Sequence, residues 1–303
     1  MTTLDATTPR AAPPSAPPRV PRPARQARHR GRSWRPTLLT YGLLTAFLLG
    51  SAFPLYWQAL VGSRESTTAF DSTPPLLPGG NFFSNAQRVF DQVRFWKALS
   101  NSLIAAGAIT LSVVLFSTLA GFAFAKLRFR GRNALYVFVI ATLAVPTQLG
   151  IVPLYILMAK YGWVGHLQAV IVPNMVTALG VFWMRQYLVQ AVPNELIEAA
   201  RVDGCSMIRV FWHVCVPAAR PAAAVLGVFT FVMAWNDFLW PLIALNPENP
   251  TVQVAIDQIN TGFSKDFSLI MTGTTLATLP LIIGFIFLGR QIVAGIMQGA
   301  VKG

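Results

Sequence analysis

Two small groups of polar side chains stand out in a chain that is otherwise poor in them. The first is Glu198 with Asp203, on a polar segment at about 193–217 that separates two long apolar runs. The second is Asn101 with the pair Asn236-Asp237, all in apolar surroundings. A carboxylate such as Glu198 can pair with a cation on another surface. It can also pair with its own neighbour Arg201, where an exposed ion pair contributes under about 1 kcal/mol. Asn101, Asn236 and Asp237 can face a passing polar solute, satisfy the open backbone of a broken helix, or lie near headgroups, and the residues leave all three readings open. Catalytic chemistry has no footing. There is no His-Glu-x-x-His, no Gly-x-Ser-x-Gly and no phosphate-cradling Gly-x-x-x-x-Gly-Lys-Ser/Thr. His29, His166, His213, Cys205 and Cys215 have no metal-ligand spacing. The expectation is a chain that is not an enzyme and binds no cofactor.

The elements around Glu198 are legible from punctuation. Pro193 stands where proline can open a helix without losing a needed hydrogen bond. Leu196, Ala199 and Ala200 recur at helical spacing. Asp203-Gly204 is a turn dipeptide, with Gly204 free to take the left-handed conformation that closes a helix. Ser206 can cap a second helix, which Pro217 is expected to stop. Two short helices around a glycine turn, with a ridge of small residues at Ala199 and Ala200, make a knob that another surface can approach closely.

This knob sits in a membrane protein. Of 303 residues, 54% are hydrophobic and 12% charged, against about 25% charged in ordinary soluble domains. Six apolar runs, at about 38–61, 98–125, 134–159, 165–184, 222–245 and 269–289, contain one formal charge, Asp237. Each is long enough for the roughly 20 residues that a bilayer requires. A central charge costs about 2.5–3.5 kcal/mol on insertion, so their scarcity is the signal. Residues 1–36 are rich in Pro, Ala and Arg and read as a disordered basic tail. The apolar run after the tail is uncharged and long, as in an uncleaved anchor, and 37–303 then form one transmembrane domain.

Basic residues set the orientation. With the N-terminus inside, the tail, Lys126, Arg128, Arg130, Arg132, Arg185, Arg201, Arg209, Arg220, Arg290 and Lys302 put eighteen cations on the inner side. Arg64, Arg88, Arg94, Lys97, Lys160 and Lys265 put six outside. That asymmetry places the termini and the knob in the cytoplasm. The formal charge of +13 is thus a topology signal, and no nucleic-acid partner is expected. The outer stretch from Phe82 to Trp96 is amphipathic and reads as a short interfacial helix.

Glu198-Ala199-Ala200, then Gly204 and Pro217, resembles the EAA loop of membrane subunits in ATP-binding-cassette importers. Asn101-Ser102, Gly121 to Arg132 and Trp235-Asn-Asp-Phe-Leu-Trp-Pro241 resemble, in order, signatures of the carbohydrate-uptake branch, the MalG-like permeases. The resemblance covers nearly everything after residue 37, although Cys205 stands where the family usually has alanine and the basic tail has no counterpart. It implies an all-α fold of six transmembrane helices with a cytoplasmic coupling helix between the fourth and fifth. It also implies that Glu198, Ala199, Ala200, Asp203, Gly204 and Pro217 engage an ATPase dimer, which binds the ATP and magnesium. Further implied partners are a second, MalF-like permease and an extracytoplasmic sugar-binding protein, in the cytoplasmic (inner) membrane. An ion-coupled secondary transporter is the competing reading. It would need ionisable groups at the bilayer midplane, and Asp237 alone is available.

Overall fold

The computed structural model describes residues 37–65, 76–260 and 266–300, so the basic tail lies outside the described residues. Every regular element among them is helical. The chain divides into two compact units, 1–49 and 50–303. In the first, residues 38–49 form the opening turns of α1 (Leu38–Gly62).

In the second unit, α1 ends in a buried turn, Leu60–Gly62. There the amphipathic α2 (Phe82–Gln92) is pinned to it: Asn85 Nδ2 donates to Gly62 O and to Arg64 O, both at 2.9 Å. The interfacial helix expected to reach Trp96 stops at Gln92, and Phe95 and Trp96 begin the next element. That element, α3 (Phe95–Lys126), is the central rod. The chain continues through α4 (Arg132–Ala141), α5 (Ile151–Lys160), the single turn α6 (Gln168–Ile171) and α7 (Ala178–Ala191). Two short helices, α8 (Asn194–Val202) and α9 (Met207–Val210), lead through a π turn at Phe211–Cys215 into α10 (Val216–Trp235). After α11 (Leu239–Ala244) and α12 (Val252–Ile259), α13 (Phe267–Ala300) completes the described chain.

Val113, Phe122, Met184, Leu188, Phe211 and Leu226 form one buried cluster where α3, α7 and α10 meet. Trp235, Phe95, Val252 and Leu269 belong to a second. The close approach of α3 to α7 depends on Gly121, because a Cβ there would lie 2.8 Å from the Arg185 backbone nitrogen. Outward faces are apolar as well: Leu111, Phe138, Val152 and Ile286 are each at least 65% exposed. That is the reverse of a water-facing surface and suits hydrocarbon.

The six expected runs do not become six straight helices. Among the described residues four helices are long and apolar enough to cross a membrane: Leu38–Gly62, Phe95–Lys126, Met207–Trp235 and Phe267–Ile286. The run 134–159 is instead two arms, Arg132–Ala144 and Thr147–Lys160, meeting at 94° next to Pro146, whose ring removes a backbone donor and disfavours helix in the residue before it. The run 165–184 is broken by a 3₁₀ turn containing Pro173, and Thr177 caps a fresh helix by accepting from the Gly180 N–H. The run 222–245 is shifted, because its helix begins upstream of 222 and ends at Trp235.

Candidate functional site

The hairpin around Glu198 is closed at its central turn by local hydrogen bonds. Pro193, with φ −57° and ψ 147°, is the residue before the first helical turn. Glu195 in that turn and Arg201 in the last complement the helix dipole. At the far end Cys205 N–H donates to Ala200 O at 2.9 Å, and Gly204 N–H to Arg201 O at 3.0 Å. This pair of bonds is the Schellman closure, which requires its first donor residue in chain order to be left-handed. Gly204 is that residue, with φ +75°. Ser206 Oγ then accepts from Arg209 N–H at 3.3 Å and opens α9.

Burial sorts the hairpin into an anchored and a free side. Ile197 is buried, while Ala200, Cys205 and Met207 pack at the edge of the core cluster. Glu198, Ala199, Asp203 and Gly204 are exposed, with Leu196, Val202, Ile208 and Trp212 beside them, Val202 reaching 88% exposure. The ridge expected from Ala199 and Ala200 is therefore split between two faces. Arg88–Asp266 is the ion pair seen among the described residues, so Glu198 does not pair with Arg201. A Cβ on Gly204 would meet nothing within 4 Å.

Pro217 does not stop the second helix, contrary to expectation. It is the second residue of α10, directly after the π turn at Phe211–Cys215, inside a continuous helical run. The π turn before it joins α9 to α10 without a break in helical backbone. The second leg of the hairpin is thus the foot of the Met207–Trp235 helix.

Asn101, Asn236 and Asp237 lie apart from the hairpin. Asn101, 6% exposed, donates through Nδ2 to Asn249 Oδ1 at 2.9 Å and to Pro250 O at 2.8 Å. The adjacent Ser102 Oγ accepts from Val252 N–H at 2.9 Å. Asn249 Nδ2 in turn donates to Gly165 O at 3.0 Å. The Asn-Ser pair on α3 thereby ties down the loop before α12. At the end of α10, Asn236 Nδ2 donates to Val232 O at 2.8 Å, and Asp237 accepts from the backbone N–H of Trp240. Both side chains serve the helix break between α10 and α11, and Trp240 Nε1 donates to Ala169 O at 2.9 Å. Phe122 and Lys126, at the end of α3, were not singled out as site residues by the sequence. Their signal is their spacing, one helical turn apart beside the hairpin.

Residues 114–298 match the family described as the binding-protein-dependent transport system inner membrane component. The chain belongs to this family. Members are ABC transporter permeases, non-catalytic membrane translocation subunits. The arabinooligosaccharides transport system permease protein AraQ of Halalkalibacterium halodurans is 32% identical over 276 residues, spanning 89% of this chain and 97% of that protein. The lactose transport system permease protein LacG of Rhizobium radiobacter is 32% identical over 272 residues, spanning 88% and 97%. The sn-glycerol-3-phosphate transport system permease protein UgpE of Shigella flexneri is 28% identical over 276 residues. The fold of this permease is also that of a chain in the crystal structure of a bacterial ABC transporter involved in the import of the acidic polysaccharide alginate. That match has a TM-score of 0.72 and 20% identity, and covers 83% of this chain and 94% of the other.

Proposed function

We propose that this permease forms half of the translocation pathway of a carbohydrate importer and is driven through its 193–217 hairpin by a separate ATPase dimer. A second permease completes the pathway, and an extracytoplasmic binding protein delivers the solute. The observation that carries this reading is the hairpin itself. It is a closed, anchored projection with an unpaired carboxylate, four exposed large apolar side chains and open space over Gly204, continuous with a membrane-length helix. In this reading ATP and magnesium are held by the partner, whose closure displaces the hairpin and tilts the spans between two states.

Six crossings follow if the bent pair α4–α5 counts as one and α6 with α7 as another. The 14 residues of α7 span only about 21 Å, so that crossing also needs the turns before it. The basic-residue asymmetry supports a cytoplasmic position for both termini and the hairpin, in an inner, multi-pass setting. The carbohydrate cargo is supported by the named cargoes of AraQ and LacG. The test is copurification followed by reconstitution. An ATPase, a second permease and a sugar-binding protein should copurify, and uptake into proteoliposomes should need ATP. Uptake by the chain alone, collapsing with an ionophore while ATP stays high, would instead establish the ion-coupled transporter.

A further inference from the structure

The last two turns of α3 touch the hairpin at two points. Lys126, the final residue of α3, places Nζ 3.2 Å from Asn194 Oδ1, on the first residue of α8. The same Nζ lies 3.4 Å from Val189 O, one of the α7 carbonyls that the helix end leaves without an internal partner. Lys126 therefore bridges the Val192-Pro193 break. One turn earlier, Phe122 packs on Phe211 with ring centroids 5.6 Å apart. Both rings are 3% exposed, and Phe211 is the first residue of the π turn where the hairpin leaves for α10. Residues four apart share a helix face, so a single face of α3 grips the hairpin at Asn194, near its start, and at Phe211, on its second leg. Gly121 beside them holds α3 against the α7 backbone.

We infer that Phe122 and Lys126 are positioning residues that fasten the hairpin to α3, so that its displacement is delivered to α3 and α7 as well as to α10. This rests on the hairpin being the docking element. Neither residue lies on the exposed side of the hairpin, so their loss should change what the push accomplishes and leave partner binding intact.

The test uses the assembled transporter in proteoliposomes, with Lys126→Ala, Lys126→Arg, Phe122→Ala and Phe122→Leu. Solute moved per ATP hydrolysed is the readout. Lys126→Ala should lower that ratio about three- to tenfold, the scale of one typical net hydrogen bond at an exposed site. Lys126→Arg should restore it, a rescue that a merely structural role would not show. Phe122→Ala should lower the ratio similarly, and Phe122→Leu serves if the alanine variant does not assemble. ATPase copurification should match the unmodified protein throughout. A ratio unchanged in both Lys126→Ala and the Phe122 variant overturns the inference. Gly204→Trp in parallel separates the two ideas: if it blocks uptake while the α3 variants couple normally, docking stands and the fastening role falls. If Gly204→Trp imports normally, the docking element itself is misplaced.

Discussion

Adding a side chain at Gly204 separates backbone strain from a surface blocked against a partner. With φ at +75°, any L-residue except the few that tolerate the left-handed region is disfavoured there by about 1–2 kcal/mol. Apart from its two chain neighbours, no atom of the described residues lies within 4 Å of the added Cβ, so packing contributes no clash. For Gly204→Ala the whole effect is therefore the backbone cost, a five- to thirtyfold fall in correctly closed hairpins at most, by about 1.4 kcal/mol per tenfold. Gly204→Asn carries less of that strain, because asparagine visits this region more readily, yet it projects a larger group. Gly204→Trp carries strain and bulk together. If an ATPase surface packs over this position, affinity for the ATPase should fall in the order Ala, Asn, Trp, and Trp should exceed the thirtyfold that strain allows. If strain alone acts, Asn should be the mildest. The assay is titration of the solubilised permease pair with fluorescent ATPase, followed by ATP-driven uptake. All three variants should insert and melt close to the parent. A Trp variant that binds within a few-fold of the parent and imports at the normal rate would refute the reasoning.

Three other outcomes follow from side chains already placed. Cys205 is half-buried on the hairpin and Cys215 is fully buried, so a membrane-impermeant thiol reagent should modify Cys205 in inside-out vesicles and leave it untouched in sealed right-side-out ones. Glu198→Gln should weaken ATPase binding by no more than about fivefold and flatten its salt dependence, since an exposed charge pair contributes under about 1 kcal/mol; an unchanged titration and salt slope would remove the carboxylate from the interface. Asn101→Ala leaves Pro250 O and Asn249 Oδ1 without this donor, so it should lower stability by about 1–3 kcal/mol in a detergent melt. Lost uptake with an unchanged melt would instead put Asn101 on the solute path.

The hairpin was legible because its signals are local. Pro193, Asp203-Gly204 and Ser206 each act within a few residues, and φ +75° at Gly204 with the Ser206 cap is their direct result. Apolar runs were legible for the same reason, but hydropathy sums over a window and carries no direction. The 94° bend between Arg132–Ala144 and Thr147–Lys160 is invisible to it. Pro217 does not end the helix because the π turn directly before it changes the hydrogen-bond register of a run that continues to Trp235, and no local pattern announces that turn. Asn101 was open to three readings because its partners are about 150 residues away in sequence. No local pattern encodes such a contact.

The unbroken run of helix from Met207 to Trp235 has a mechanical consequence. Its 29 residues make a beam of roughly 43 Å, and a tilt of about 5° about one end carries the other through nearly 4 Å. Little would need to happen at the foot for the helix break beside Asn236 and Asp237, at the opposite tip, to shift by more than the width of a water molecule.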